Sequence, residues 1–178
     1  MGNLVAREIK VDTRLDLFSA TPPVETIQFL ISACAKGQNR RKTPIMATVD
    51  IKRAYFYAPA LRDVYIAIPK EDFEEGDGER VAKLRLSLYG TRDAAHNWNA
   101  EYTKHLASLG VQVGRSSPCN FYHAGKDIRL TVHGDDFLVV GRQQSLTWLK
   151  GKMEVQYQMK YVEFGLWQRS AERNNIPK

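Results

Sequence analysis

The apolar positions Val24, Ile27, Phe29, Leu30, Ile31 and Ala33 come just after Thr21-Pro22-Pro23, and this pattern predicts a helix over 24–35 that ends near Gly37. A basic stretch, 38–43, follows. Residues 44–51 then read as a short buried strand with Asp50 near its far end. Val64, Ile66 and Ile68 alternate with Tyr65 and Ala67 as a strand does, and extended structure is expected again over 81–88. Ala94, Trp98, Tyr102, Leu106 and Leu109 recur every three or four residues and predict a helix over 93–109, with Thr91 and Asp93 available as N-caps and Gly110 placed to stop it. Ile128, Leu130 and Val132 alternate with polar residues, and Phe137-Leu138-Val139-Val140 comes only four residues later, so the two runs predict a hairpin. Leu146, Leu149 and Met153 predict a helix over 143–153, and 156–164 reads as a last strand. The pattern is α+β, without an internal repeat or a clear linker.

Composition narrows this picture. A chain of 178 residues with 43% hydrophobic and 26% charged residues is long enough for a real core and too apolar for a disordered tail or a fibre. Two cysteines, Cys34 and Cys119, exclude a disulfide-built scaffold and fit a reducing compartment. The most apolar run, 27–35, is broken by Gln28 and Ser32 and is far short of the ~20 residues that span a bilayer. Charges at Arg7, Glu8, Lys10 and Asp12 exclude a secretory segment there, and Ala6 stands where myristoylation favours Ser or Thr. The expectation is a chain of the cytoplasm or nucleus, neither secreted nor in a membrane.

The net charge is +6, but six carboxylates fall within 71–79 (Glu71, Asp72, Glu74, Glu75, Asp77, Glu79). The other 169 residues carry 26 basic and 14 acidic side chains, a surplus of twelve that suits a polyanionic partner as well as it suits a merely soluble basic protein. Arg40, Arg41 and Lys42 track phosphates or form a wet loop. The acidic run reads as a solvated hairpin tip, because Gly76 and Gly78 do not occupy calcium-loop positions. His96, His105 and His123 lack zinc-ligand spacing with either cysteine, and Trp98 lies on an apolar helical stripe that reads as core.

Asp135 and Asp136 are adjacent acids beside Gly134, between strands that are otherwise apolar, and Asp50 is a further acid at the end of an apolar strand. Carboxylates at a core edge need an attractive partner, and a divalent cation is one. Should the Asp50 strand lie beside the hairpin, the three would give the oxygen-rich set that Mg²⁺ accepts. Alone, an Asp-Asp pair also reads as two turn acids.

Three ordered segments carry more. Val49-Asp50-Ile51-Lys52-Arg53-Ala54-Tyr55-Phe56, Leu86-Ser87-Leu88-Tyr89-Gly90-Thr91-Arg92-Asp93-Ala94-Ala95-His96-Asn97-Trp98 and His133-Gly134-Asp135-Asp136-Phe137-Leu138-Val139-Val140-Gly141 resemble motifs of the copia-type retrotransposon reverse transcriptase, in order and spacing. Leu4-Val5-Ala6-Arg7, Phe18-Ser19-Ala20-Thr21-Pro22-Pro23 and Ser116-Ser117-Pro118-Cys119 resemble flanking stretches, so the likeness spans roughly 4–160.

The resemblance implies a reverse-transcriptase palm, a ferredoxin-like antiparallel sheet backed by helices, with partial fingers. It implies fingers and palm over 1–165, with 1–45 as partial fingers and 46–165 as palm carrying a fingers insertion near 60–88. Residues 166–178 are expected to be a tail that stops before a thumb and ribonuclease H. It implies RNA-directed DNA polymerisation, with two Mg²⁺ ions (Mn²⁺ as a substitute) on Asp50, Asp135 and Asp136 and a ligand from the Ile51 carbonyl. Ala54 is implied beside the triphosphate, Tyr55 as the aromatic gate against a 2′-hydroxyl, and Arg92 in nucleotide binding. Tyr89, Gly90, His133 and Gly134 are implied at template or primer. Implied partners are an RNA or DNA template, a DNA primer, a dNTP and other segments of a Pol polyprotein, and the implied setting includes a virus-like particle.

Against the family pattern, Arg92 stands for Lys, Asp93 for Gln, Ala95 for Pro, and His133-Gly134 for Tyr and an apolar residue. An acid added at 93 is expected to repel phosphates if it faces them. Tyr55 and Phe56 also read as ordinary strand aromatics. Two rival functions are a non-catalytic remnant that binds nucleic acid and a template-independent palm-type nucleotidyl transferase or cyclase.

Overall fold

A computed structural model describes Ala6, Glu8 and residues 19–36, 44–72, 74, 76 and 80–164. The basic loop expected over 38–43 lies outside the described residues, as do most of the N-terminal flank and the tail after 164. The described chain mixes three α-helices with antiparallel sheet, and it divides into two compact units, residues 20–52 with 106–178, and residues 1–19 with 53–105.

The first of these units holds helix α1 (Val24–Lys36), strand β1 (Ile45–Ile51), β4 (Gln112–Val113), β5 (Asn120–His123), β6 (Ile128–His133), β7 (Asp136–Gly141), helix α3 (Gln143–Gln156) and β8 (Met159–Phe164). Its strands form one sheet in the order β4-β5-β6-β7-β1-β8, and every pairing is antiparallel. Alternation decides the faces. Ala47, Val49 and Ile51 of β1, Phe137 and Val139 of β7 and Leu130 and Val132 of β6 are buried, and register sets them side by side on one face. On the other face, Leu30 and Cys34 of α1 pack with Val140, Met46 and Leu138. α3 has no side-chain cap at Arg142 and is held by its apolar stripe, since Leu146, Leu149 and Met153 are all buried.

The other unit carries a two-stranded ribbon, β2 (Tyr65–Ala67) with β3 (Val81–Lys83), an isolated bridge between Pro59 and Leu86, and a 3₁₀ turn at Ala54–Tyr57. It also carries most of helix α2 (Ala94–Ser108), where Trp98 is 1% exposed and meets Tyr102 edge to face at 5.4 Å. That is the core role expected for Trp98. Past residue 105, in the first unit, Gly110 N–H bonds to the Ala107 carbonyl and Val111 N–H to the Leu106 carbonyl, the Schellman closure, with Leu106 and Val111 both buried. Both cysteines are unpaired and buried, and burial pushes both thiols upward. Among the described residues no helix is long and apolar enough to cross a membrane.

Candidate active site

β1 is buried along Ala47, Val49 and Ile51, yet it carries exposed Asp50 one residue before its end. The hairpin of β6 and β7 turns next to it. His133 pairs with Asp136, leaving Gly134 and Asp135 as a two-residue loop. Gly134 has φ +64 while Asp135 is not among the positive-φ residues, which is the pattern of a type II′ turn, with glycine at its first corner. The departure at 134 thus has a local reason: any other residue would be strained there, although a Cβ would meet nothing within 4 Å.

Register brings the acids together. Asp50 is the antiparallel partner of Asp136, and the Ile51 N–H donates to the Asp135 carbonyl at 3.1 Å. On its other side Asp50 pairs with Lys160 of β8. Partners in an antiparallel pair share a face, so His133, Asp136, Asp50 and Lys160 form one row across four strands. All four are exposed and Asp135 is half-buried. The Asp136 carboxyl is pushed above the usual Asp range, first by partial desolvation and then by the charges of Asp135 and Asp50, while His133 pulls it the other way.

Hard carboxylate oxygens in excess of local positive charge fit a hard divalent cation by donor chemistry. Among the described residues, no three His, Cys, Asp or Glu side chains stand close enough together to hold a metal ion. The acids therefore share one end of the sheet without closing into a cage.

The remaining sequence candidates lie in the unit of residues 1–19 with 53–105. Ala54 is fully buried, which leaves half-buried Tyr55 and Tyr57 and exposed Phe56 as the side chains its turn presents. Tyr55 stacks on Tyr89, with ring centroids 4.3 Å apart and planes tilted by 35°. Gly90 follows at φ +90, and the Thr91 N–H closes on the Leu88 carbonyl at 3.1 Å, the arrangement of a type II turn with glycine at its second corner. Arg92 donates its backbone N–H to the Glu8 carboxylate at 2.8 Å.

Asp93 is 4% exposed. Arg62 Nη2 lies 3.1 Å from its Oδ1 and also bonds Glu8, while the Asn97 amide reaches its Oδ2 at 3.2 Å. Burial alone would raise the Asp93 pKa, but the Arg62 guanidinium and these hydrogen bonds hold it below the usual range. The Asp93 charge, expected from the sequence to repel phosphates, is thus paired within its own unit. Sequence reasoning missed Arg62 and Lys160, because neither sits in a motif and each is placed by a partner far along the chain.

A family model described as reverse transcriptase (RNA-dependent DNA polymerase) matches residues 6–166. The chain is 27% identical over 150 residues to the retrovirus-related Pol polyprotein from transposon TNT 1-94 of Nicotiana tabacum, covering 82% of this chain and 11% of that one. It is 29% identical over 100 residues to the retrovirus-related Pol polyprotein from transposon RE1 of Arabidopsis thaliana, 55% of this chain and 7% of that one. It is 28% identical over 119 residues to the transposon Ty1-GR3 Gag-Pol polyprotein of Saccharomyces cerevisiae, 66% of this chain and 6% of that one. The chain spans about a tenth or less of the length of these curated relatives. By that match, over most of its length, the chain belongs to the reverse transcriptase (RNA-dependent DNA polymerase) family, as a copia-type retrotransposon region of it.

Proposed function

We propose that this chain is the fingers-and-palm part of an RNA-directed DNA polymerase that adds dNTPs to a primer 3′-hydroxyl. The observation that carries the reading is the Asp50–Asp136 register, with the Ile51 N–H tied to the Asp135 carbonyl, which gathers at one sheet end the three acids the motifs single out. Asp50, Asp135 and Asp136 would hold two Mg²⁺ ions, with the Ile51 carbonyl as a further ligand. When bound, such ions lower the pKa of the attacking hydroxyl and offset charge on the phosphate in an in-line displacement.

The chain's own residues do the rest. The type II′ turn fixes Asp135 relative to Asp136, and the β1 register fixes Asp50 against both. Lys160 and His133 at the two ends of the row moderate the carboxylate charge before any cation arrives. In the other unit, Tyr55 bears on the sugar and Arg92 on the phosphates, with Tyr89 and Gly90 at template or primer. His133 and Gly134 face the primer end. Base pairing with the template, rather than a protein side chain, selects the base.

The test is Mg²⁺-dependent extension of an oligo(dT) primer on poly(rA) by the 178-residue chain. Incorporation of dTTP that vanishes in Asp135→Asn, with most duplex affinity retained, supports the reading. Equal loss of duplex affinity counts against it. Duplex binding without incorporation points to a non-catalytic remnant, and incorporation without template to another palm-type nucleotidyl transferase.

A further inference from the structure

Helix α1 covers only part of the sheet face it packs on. Between it and strands β5 and β6 lies an open, mostly apolar cleft of about 400 Å³, within the ~300–1,000 Å³ of small-ligand sites. Phe29 lines it from the helix, and Tyr122 and Arg129 line it from the sheet. Tyr122 and Arg129 are cross-strand partners and share a face, with the guanidinium carbon 5.3 Å from the ring centroid. The Asn120 amide donates to the Thr26 hydroxyl at 3.2 Å and accepts from the Thr131 hydroxyl at 3.0 Å, which fixes the helix against both strands. Phe29 is 63% exposed and Tyr122 37%, so two aromatic rings stand in water at a cleft already formed.

A second, polar cleft of about 360 Å³ lies beside the first, lined by Lys126, Arg142 and Ser145. Asp127 joins the two, because it lines the polar cleft and holds the Arg129 guanidinium at 2.9 Å. Lys126 is only three peptide steps from Arg129, a span of at most ~11 Å, and its Nζ stands 4.3 Å from the Trp148 ring centroid. Arg115, exposed between Gly114 and Ser116 on the rim of the apolar cleft, adds a fourth cation, against Glu25 and Asp127 as the acids.

We propose that these adjoining clefts bind single-stranded nucleic acid: an unpaired base enters between Phe29 and the Tyr122–Arg129 pair, and a neighbouring phosphate rests on Lys126 and Arg142. Aromatic rings offer a stacking surface to any base, and cations beside them follow the backbone. Glu25 and the Ser116 hydroxyl also line the apolar cleft and can hydrogen-bond the edge of a base. A base within a duplex would first have to be unstacked and unpaired to enter, which selects the single strand. The site is apart from the row of acids, since Arg129 precedes His133 by four residues on β6, roughly 13 Å along the strand. It does not rest on the polymerase reading.

The experiment measures fluorescence anisotropy of labelled short oligomers of thymidine and of uridine with the 178-residue chain at ~50 mM salt, where backbone contacts are strong. Both oligomers are expected to bind, because phosphates and stacking faces are common to the two. Tyr122→Leu and Phe29→Leu should each weaken binding about fivefold or more, while Tyr122→Phe keeps it. Arg142→Ala should weaken it as well, whereas Lys152→Ala, which removes an exposed charge farther along α3, leaves it near wild type. An oligomer carrying 5-iodouracil should cross-link to Phe29 or Tyr122 of the wild-type chain, a result that needs no variant to fold. Ring-deleting variants with wild-type affinity, or cross-links confined to residues outside the two clefts, overturn the inference. So does a chain that binds neither oligomer and self-associates in a way that Phe29→Leu abolishes, since a second copy then fills the cleft. Primer extension tests the polymerase reading separately, so either can fail while the other stands.

Discussion

Asp50 faces Asp136 directly across the β1–β7 ladder, so two carboxylates occupy a position where like charges destabilise a sheet. The raised pKa of Asp136 reflects this, after partial desolvation. A carboxyl whose pKa is higher in the fold than in the unfolded chain binds protons more readily when folded. Stability is then lost as pH rises between the two values and stays lower above them. Asp136→Asn is therefore expected to raise the melting temperature in EDTA at pH 7 by about a degree or two, since an exposed pair is worth well under 1 kcal/mol. The same variant should lose Mg²⁺-dependent extension by about a hundredfold or more. Thermal melts in EDTA and primer extension in Mg²⁺ check both halves.

Lys160 lies on the far side of Asp50 from Asp136, and reversing its charge puts three acids in one row. Lys160→Glu should lower the melting temperature by about 1–2 °C at low salt and by less at ~1 M salt, where screening reaches only ~3 Å. An equal loss at both salt concentrations would contradict the row of shared charges.

The Arg62 guanidinium joins Glu8 to buried Asp93. Arg62→Met strands that carboxylate and is expected to cost about 2–4 kcal/mol, measured by urea unfolding, with Asp93→Asn in the same background recovering part of it. Burial acts to raise the pKa of both acids, but Arg62 and the surrounding hydrogen bonds bring each below its ordinary value. For acids with depressed pKa values, the stabilisation is complete above their ordinary values of 4.5 and 3.8 and is lost as pH falls through the lower folded values. Wild type should thus lose stability toward pH 3 more steeply than the double variant.

Gly134 at φ +64 supplies the first corner of the turn between β6 and β7, and a Cβ added there would meet nothing within 4 Å. Gly134→Val pays strain without clash, about 1–3 kcal/mol by denaturant unfolding, whereas Gly134→Asn should cost less because Asn tolerates positive φ.

Local pattern made much of this fold legible. The helix expected over 24–35 is Val24–Lys36, the one over 93–109 is Ala94–Ser108, and the hairpin falls on β6 and β7 as expected. Strands β4 and β5 were not foreseen, because two and four residues beside Gly114, Pro118 and several serines are too few to display a period. The acids at 50, 135 and 136 stood out chemically as charges in apolar surroundings. Lys160 and Arg62 did not, since one depends on which strand flanks β1 and the other on ion pairs to residues 31 and 54 positions away. Neither pairing leaves a trace in local spacing.

β8 flanks β1 on the side opposite the hairpin. A shortened protein ending before Met159 would turn the seven-residue strand bearing Asp50 from a central strand into a bare margin, with one row of amides and carbonyls open to the next molecule. Clones made for expression should therefore keep everything through Phe164, or self-association will be mistaken for a property of the intact fold.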